Sequence, residues 1–539
     1  MVNGDPGGYN CQRVAPARPG TSPNMQTLAA RLPRPVALGF LFAVLTMAGL
    51  LVHGYHYGIE DQAIYLPGIK QAIDPSLYGH DSVFFQPQTQ PTLITKLVAV
   101  SATSTGLQTD TVVFAWQLLS IYAFLLGCWM VASRIFPSDR ARLGSLAMIT
   151  VLFTLPVAGT ALYLVDQYLH PRALASALIL IAAALIMPTA SSSDKSANRR
   201  PGVTRVLGAI LLVLCASMLH IMMAFFGVML ITLLLLPPLA GPVRRPATSL
   251  AMLGLPFVAF FQPSSAGWAE AARTRSQHYM MRWEWYELLG VVAPIFVLWG
   301  LARFAERKQM PELRSLCVRT IWLAVLGLTG GLIITLPSSL ERLTPFQPLR
   351  SFHLVYIMMI LVAGGLLGEY VLQGKAWRWM LLFLPICCGM YFVQRELFEF
   401  SAHVEWPGTK SANAWVEAYD WVRVNTPKDA YFALDPRYIN FPGDDSHGFR
   451  GLAERSELAD WGKDPGVISL FPNAAGRWHD EVHALDGWET FGSSDFRRLK
   501  QRFGVDWMIV ALPVGKHPSP AQPANCAYRN EAVCVFKIQ

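Results

Sequence analysis

The sequence predicts an α-helical polytopic membrane protein, with about 11 transmembrane helices and a small C-terminal extracytoplasmic α/β domain. Three observations lead there. Of 539 residues, 53% are hydrophobic and only 15% charged, against roughly 25% charged in soluble domains. The apolar residues gather in blocks of about 17 to 23, the length a helix needs to cross about 30 Å of hydrocarbon. Short loops rich in Arg and Lys separate the blocks and alternate as the positive-inside rule requires.

Residues 1–35 are rich in Pro and Gly, carry Arg13, Arg18, Arg31 and Arg34, and show no apolar period, so they read as a disordered cytoplasmic tail. The first block, 36–53, has no small-residue cleavage site after it and is expected to stay as an anchor. A long outside loop, 54–110, follows; within it the stretch 91–107 is expected not to cross, and either lies along the interface or packs in the bundle. Block 111–132 returns to a cytoplasmic face marked by Arg134, Arg140 and Arg142. Blocks 144–165 and 172–188 are joined by an outside loop, 166–172. The run 206–238 is too long for one crossing and basic at both flanks, so it reads as two crossings turning near His220. Blocks 249–262, 288–304, 317–336, 352–373 and 377–394 complete the transmembrane bundle, 36–394, and place 395–539 outside.

In that last region charge density rises and short apolar runs alternate with helical stretches, the pattern of a small α/β domain. Residues 415–425 read as an amphipathic helix stopped by Thr426-Pro427, and 431–434 as the strand after it. Of the eight cysteines, Cys526 and Cys534 bracket a polar stretch and either close a hairpin in an oxidising compartment or remain free thiols. The other six have no ligand spacing. The net charge of +8 is spread over loops without a continuous basic face, which argues against nucleic acid as a partner.

The chain has no Walker loop, no strand-linked Gly-x-Gly-x-x-Gly, no Gly-x-Ser-x-Gly and no His-Glu-x-x-His, so the usual signals of nucleotide hydrolysis, serine hydrolysis and zincin chemistry are missing. What remains is polar residues at outside helix ends: Glu60, Asp61 and Gln62; Asp81; Asp166, His170 and Arg172; His220; Arg273, Arg275 and His278; Glu341, Arg342, Arg350 and His353. An acid pair one or two turns from the membrane surface acts as a general base or holds a divalent cation, since a low-dielectric surround raises a carboxylate's pKa; the alternative is a solvated helix cap. The stretch 443–450, with Arg455 and Asp460, reads as a solvated loop, or else one that contacts an acceptor or seals the membrane site. His479 and His483 stand at i, i+4 on one helix face, a zinc-ligand spacing, but the sequence offers no third ligand and no metal site is assigned.

The order of helix one, Glu60-Asp61 in the first outside loop, and the soluble C-terminal region resembles the GT-C superfamily of membrane glycosyltransferases. The stretches Asp166-Gln167-Tyr168-Leu169-His170-Pro171-Arg172 and Pro348-Leu349-Arg350-Ser351-Phe352-His353 look like those of uncharacterised bacterial members of this group. The resemblance implies a bacterial inner-membrane enzyme moving a sugar from a polyprenyl-phosphate donor to a glycan, lipid or protein acceptor. It implies Asp61 or Glu60 as the base, the other acid orienting it or binding a divalent metal, and Asp166, His170, Arg172, Arg350 and His353 around the substrate, the cations meeting its phosphate. Two other classes stay open: a lipid-linked glycan transporter or flippase, which would show paired broken helices in internal repeats, and a non-catalytic envelope-assembly protein, in which the membrane charges are structural.

Overall fold

The computed structural model describes residues 33–188, 201–236, 265–441, 443–512, 520 and 525–539. The chain is a largely α-helical polytopic membrane protein with a C-terminal mixed α/β region. Among the described residues six helices are long and apolar enough to cross a membrane: Arg34–His53, Thr109–Ile135, Trp285–Arg307, Pro311–Thr335, Ser339–Leu372 and Ala376–Leu397. Four shorter apolar helices accompany them, Leu93–Thr105, Pro171–Ile186, Val203–Leu219 and Ile221–Leu235. Phe40, Leu211, Phe296, Leu381 and Phe392 point outward and exposed, the side chains a bundle turns toward lipid. The predicted block 249–262 and most of the predicted tail 1–35 lie outside the described residues.

The helix Leu93–Thr105 has 13 residues, about 20 Å at 1.5 Å per residue, too short to cross. The run 206–238 divides at His220, whose Nδ1 accepts the Met223 N–H at 3.3 Å and starts the second helix. The predicted block 144–165 departs from expectation. Its helix, Asp139–Val151, stops early, and 152–170 continues as irregular chain with a single bridge between Pro156 and Tyr163. Non-helical backbone survives at this depth only when protein satisfies it. Here it does: Gln117 Nε2 donates to Asp166 O at 2.8 Å, Gln62 Nε2 to Leu169 O at 3.3 Å, and the His56 N–H to Gln167 O at 3.0 Å. The helix Asp139–Val151 approaches Phe352–Leu366 so closely that a Cβ on Gly144 would sit 2.4 Å from Gly364 O, a small-residue crossing of the membrane type.

Among the described residues the C-terminal region holds five strands in the order β2-β1-β3-β5-β4: β1 Tyr431–Ala433, β2 Ser456–Glu457, β3 Trp507–Ala511, β4 Tyr528–Arg529 and β5 Val533–Lys537. β1 runs parallel to β2 and β3, and β5 antiparallel to β3 and β4. Side chains alternate across the sheet. Phe432, Ile509, Val533 and Val535 meet the helix Ala414–Asn425 on one face, while Ala433, Met508, Val510 and Phe536 meet Leu485, Trp488 and Leu499 on the other. Cys526 and Cys534 form a disulfide that ties the start of β4 to β5.

This region is docked on the first loop. Tyr55 bridges Val404, Ile59 bridges His447, and Gly448 N donates to Gly58 O at 2.9 Å. The stretch 443–450 is therefore not the solvated loop the sequence suggests: Asp444, His447 and Arg450 are buried. Arg450 donates to Asp81 of the first loop at 2.6 Å and to both oxygens of Asp464 at 2.7 and 2.9 Å.

Candidate functional site

Helix one ends at Gly54, and the chain turns twice, at Gly58 (φ +87°) and Glu60 (φ +51°), before entering the helix Gln62–Ile73. Glu60 is a non-glycine residue in the left-handed region, a conformation that costs on the order of 1 kcal/mol and persists only when surroundings over-determine it. They do: Gln62 Oε1 accepts Gly58 N–H at 2.7 Å, Gln62 Nε2 donates to Leu169 O at 3.3 Å, and Glu60 N–H donates to Ser446 O at 3.0 Å. The loop 166–172, the first loop and the C-terminal region thus clamp the acid pair from three sides.

Asp61 occupies the helix cap position, yet its carboxylate makes no capping hydrogen bond among the described residues. It faces His170 instead, with Nε2 3.4 Å from Oδ2. His170 in turn caps its own helix, Pro171–Ile186, through Nδ1, which accepts the Arg172 N–H at 3.1 Å. With Nδ1 an acceptor, the ring hydrogen lies on Nε2 and points at Asp61. Tyr65 holds the imidazole edge-on at 5.2 Å. The side chain of Asp61 is 31% exposed. Burial on its own would raise the carboxyl's pKa, as the sequence argument expects. The hydrogen bond from His170, with the charges of Lys463 and Arg172, outweighs burial and holds it well below the ordinary range. His170 is driven below its usual value by burial first and by Arg172 second, and stays neutral.

Glu60 pairs with Lys463 of the C-terminal region. Arg172 Nη2 donates to both oxygens of Asp166 at 2.8 and 2.9 Å, with both side chains buried. Arg350 differs. Its Nε is buried without a partner, and its guanidinium makes no hydrogen bond or ion pair among the described residues, although Arg172, Asp61, Arg275 and Tyr65 are its electrostatic neighbours. Arg275 is similar: Nη1 donates to Gly462 O at 2.6 Å, Nε is buried and unpartnered, and no carboxylate meets it among the described residues. A cleft lined by His278, Gln347, Thr160 and Thr344 opens beside Arg350. Half-buried guanidinium groups whose Nε is sealed from solvent without a partner, and which make no ion pair among the described residues, are poised for an anion from outside the chain.

Of the predicted residues, the fold brings Asp61, His170, Arg172, Asp166 and Arg350 into one electrostatic neighbourhood, with Glu60 beside them. His353 stands behind it: its Nε2 donates to Leu164 O at 3.0 Å and holds the irregular segment. Sequence reasoning missed Lys463. It lies in a soluble region roughly 400 positions from Glu60, and no local pattern links the two. Arg275 was visible as a polar residue near a helix end, but its lack of a carboxylate was not.

A family model described as a domain of unknown function, DUF6798, matches residues 413–467, the segment carrying His447, Arg450 and Lys463. No curated protein matches the chain. Among solved structures, the archaeal oligosaccharyltransferase AglB from Archaeoglobus fulgidus, in complex with an inhibitory peptide and a dolichol-phosphate, aligns at 10% identity over 88% of this chain and 69% of that one, with a TM-score of 0.45. An Archaeoglobus fulgidus oligosaccharyltransferase in complex with zinc and sulfate aligns at 12% identity over 87% and 67%, with a TM-score of 0.39. Likenesses this loose establish neither a shared fold nor a shared activity.

Proposed function

We propose that the chain is a GT-C-type membrane glycosyltransferase that transfers a sugar from a polyprenyl-phosphate donor to an extracytoplasmic acceptor. The observation that carries the reading is the pairing of an ionised acid with free cations: Asp61 held by neutral His170, next to Arg350 and Arg275, which have no carboxylate of their own among the described residues. Orientation is argued from charge and chemistry. Arg134, Arg307, Arg314 and Arg378 mark the helix ends opposite the site, as expected for a cytoplasmic face. The Cys526–Cys534 disulfide suits an oxidising compartment.

In this reading the donor phosphate lies against Arg350 and Arg275, which balance the charge that grows on it as the sugar C1–O bond breaks. Asp61 takes the proton of the acceptor hydroxyl as its oxygen forms the new bond to C1, and polyprenyl phosphate departs. A carboxylate held this low is a weak base in the resting protein. It gains strength only when the acceptor hydroxyl displaces the His170 hydrogen bond or the donor's negative charge enters. Glu60, already neutralised by Lys463, is given the orienting role ahead of metal binding. Asp166 fixes the Arg172 side chain, the Arg172 N–H orients His170, and His353 supports the irregular segment before them.

The test is release of polyprenyl phosphate from a panel of lipid-linked sugars by the full chain in lipid nanodiscs. Asp61→Asn should lower the rate about 10²–10⁴-fold while the chain still folds and inserts. Full transfer by that variant would remove Asp61 from the chemistry. Movement of a glycolipid between leaflets, with no donor consumed, would replace the enzyme by a transporter.

A further inference from the structure

Away from that site, the helix Ala475–His483 presents His479 and His483 one turn apart, their rings 4.4 Å between centroids. The sequence offers them no third ligand; the fold supplies one. Glu270, on the helix Ala266–Thr274, lies between two membrane-spanning segments and comes in from the opposite side. His479 Nε2 is 3.4 Å from Glu270 Oε2, and His483 Nε2 is 3.1 Å from Oε1. All three ligand atoms lie within 4.8 Å of one another, and the side chains are 39%, 37% and 32% exposed, open to an entering ion.

Two features turn proximity into a built site. First, His483 Nδ1 stands 2.7 Å from Asp486 Oδ2. An N–H donated there leaves the Nε2 lone pair facing the Glu270 carboxylate, two acceptors face to face, an arrangement that calls for a proton or a cation between them. A carboxylate behind a ligating imidazole is also the usual outer partner of a metal-bound histidine. Second, the two helices are locked. A Cβ on Gly267 would sit 2.6 Å from Ala475 O, Trp268 Nε1 donates to Ser469 O at 3.1 Å, and Ala271 and Ala272 share a buried cluster with Trp478 and Val482. Bonds of about 2.05 Å in a tetrahedron place ligand atoms about 3.3 Å apart, and the two His–Glu separations of 3.1 and 3.4 Å bracket that value.

We infer that Glu270, His479 and His483 form a three-ligand site for a divalent transition ion, zinc foremost among them, with Asp486 orienting His483 and a fourth position left for water. The ion staples the C-terminal region to the membrane bundle through Glu270. The inference is independent of the glycosyltransferase reading.

The experiment strips the full chain in nanodiscs with chelator, then titrates Zn²⁺ against a competing indicator and records the visible bands of Co²⁺ in its place. One ion per chain is expected, with the spectrum of a four-coordinate site. The double variant His479→Ala/His483→Ala should weaken binding at least about 100-fold, and Asp486→Asn about 10–100-fold. Zinc should raise the melting temperature of the native chain and leave that of the double variant unmoved. An ion held at Asp61 would persist in the double variant and vanish in Asp61→Asn. Binding unchanged in the double variant, or no zinc retained at micromolar concentration, would overturn the inference.

Discussion

Two ionic clusters stand where the first loop meets the C-terminal region, the second also drawing on loop 166–172 and Arg350, and they have opposite charge balance. Around Arg450 stand four buried carboxylates: Asp81 and Asp464 in direct hydrogen bonds, Glu457 at 3.5 Å and Asp460 at 3.6 Å. At the membrane-proximal cluster Arg350 and Arg275 make no ion pair among the described residues, although Asp61 is an electrostatic neighbour of Arg350, while Arg172 and Lys463 each pair with one carboxylate. A buried cation ringed by carboxyl groups has its partners already and holds two parts of the fold together. One left wanting is kept at a cost in stability, and such costs persist where a ligand supplies the missing charge. The contrast separates glue from site without any appeal to motif.

The largest effect that would break the comparison is at Arg450. Arg450→Met leaves the carboxylates uncompensated and should destabilise the protein by about 3–5 kcal/mol, read by thermal unfolding in nanodiscs and by new protease cleavage between 397 and 414. If docking and stability survive, the cluster is not the glue.

A smaller effect concerns pH. Burial, with Arg450 opposing it and Asp460 adding to it, raises the Asp464 carboxyl to about 7. Burial likewise raises Glu457 well above its usual range, against Arg450 and with Asp460, Asp464 and Asp81 nearby. A carboxyl whose folded pKa lies above its unfolded value binds more protons when folded. Stability therefore falls as pH rises from the unfolded value near 4 to about 7, where the Asp464 contribution levels off. Asp61 has the opposite sign: its stabilisation is present above the unfolded carboxyl value and is lost as pH falls through its depressed folded value. Domain docking should thus be firmer at pH 5 than at pH 7.5 in protease-protection assays. Glu457→Gln, replacing a group already protonated, should change stability at pH 7 by no more than about 0.5 kcal/mol. A large loss in that variant would mean Glu457 is ionised.

The smallest effect on stability, and the sharpest on function, is expected at Arg350. Arg350→Met removes a half-buried cation that makes no ion pair among the described residues, so stability should hold or rise by about 1 kcal/mol, while KM for the proposed lipid-linked donor rises about 10–100-fold. Loss of stability comparable to that of Arg450→Met would show that Arg350 is structural and erase the distinction.

Hydropathy and loop charge alone determined that the chain is polytopic, where most apolar helices begin and end, that 206–238 divides at His220, and that a sheet-bearing region follows Leu397. These are local properties: apolar block length reports lipid thickness, and turn chemistry reports helix ends. The polar helix ends read from sequence include Asp61, His170, Arg172 and Arg350, because charges near a membrane are rare enough to stand out. Hydropathy did not reveal that 152–165 is irregular, since buried irregular chain and helix are equally apolar. Nor did it reveal which charges are paired. Lys463 on Glu60, Arg450 among its carboxylates, Glu270 beside His479 and His483, and the freedom of Arg350 all depend on contacts between residues far apart in the chain. Only the tertiary structure decided them, because the energy of a charge is set by what surrounds it in space, and a sequence lists its neighbours in one dimension.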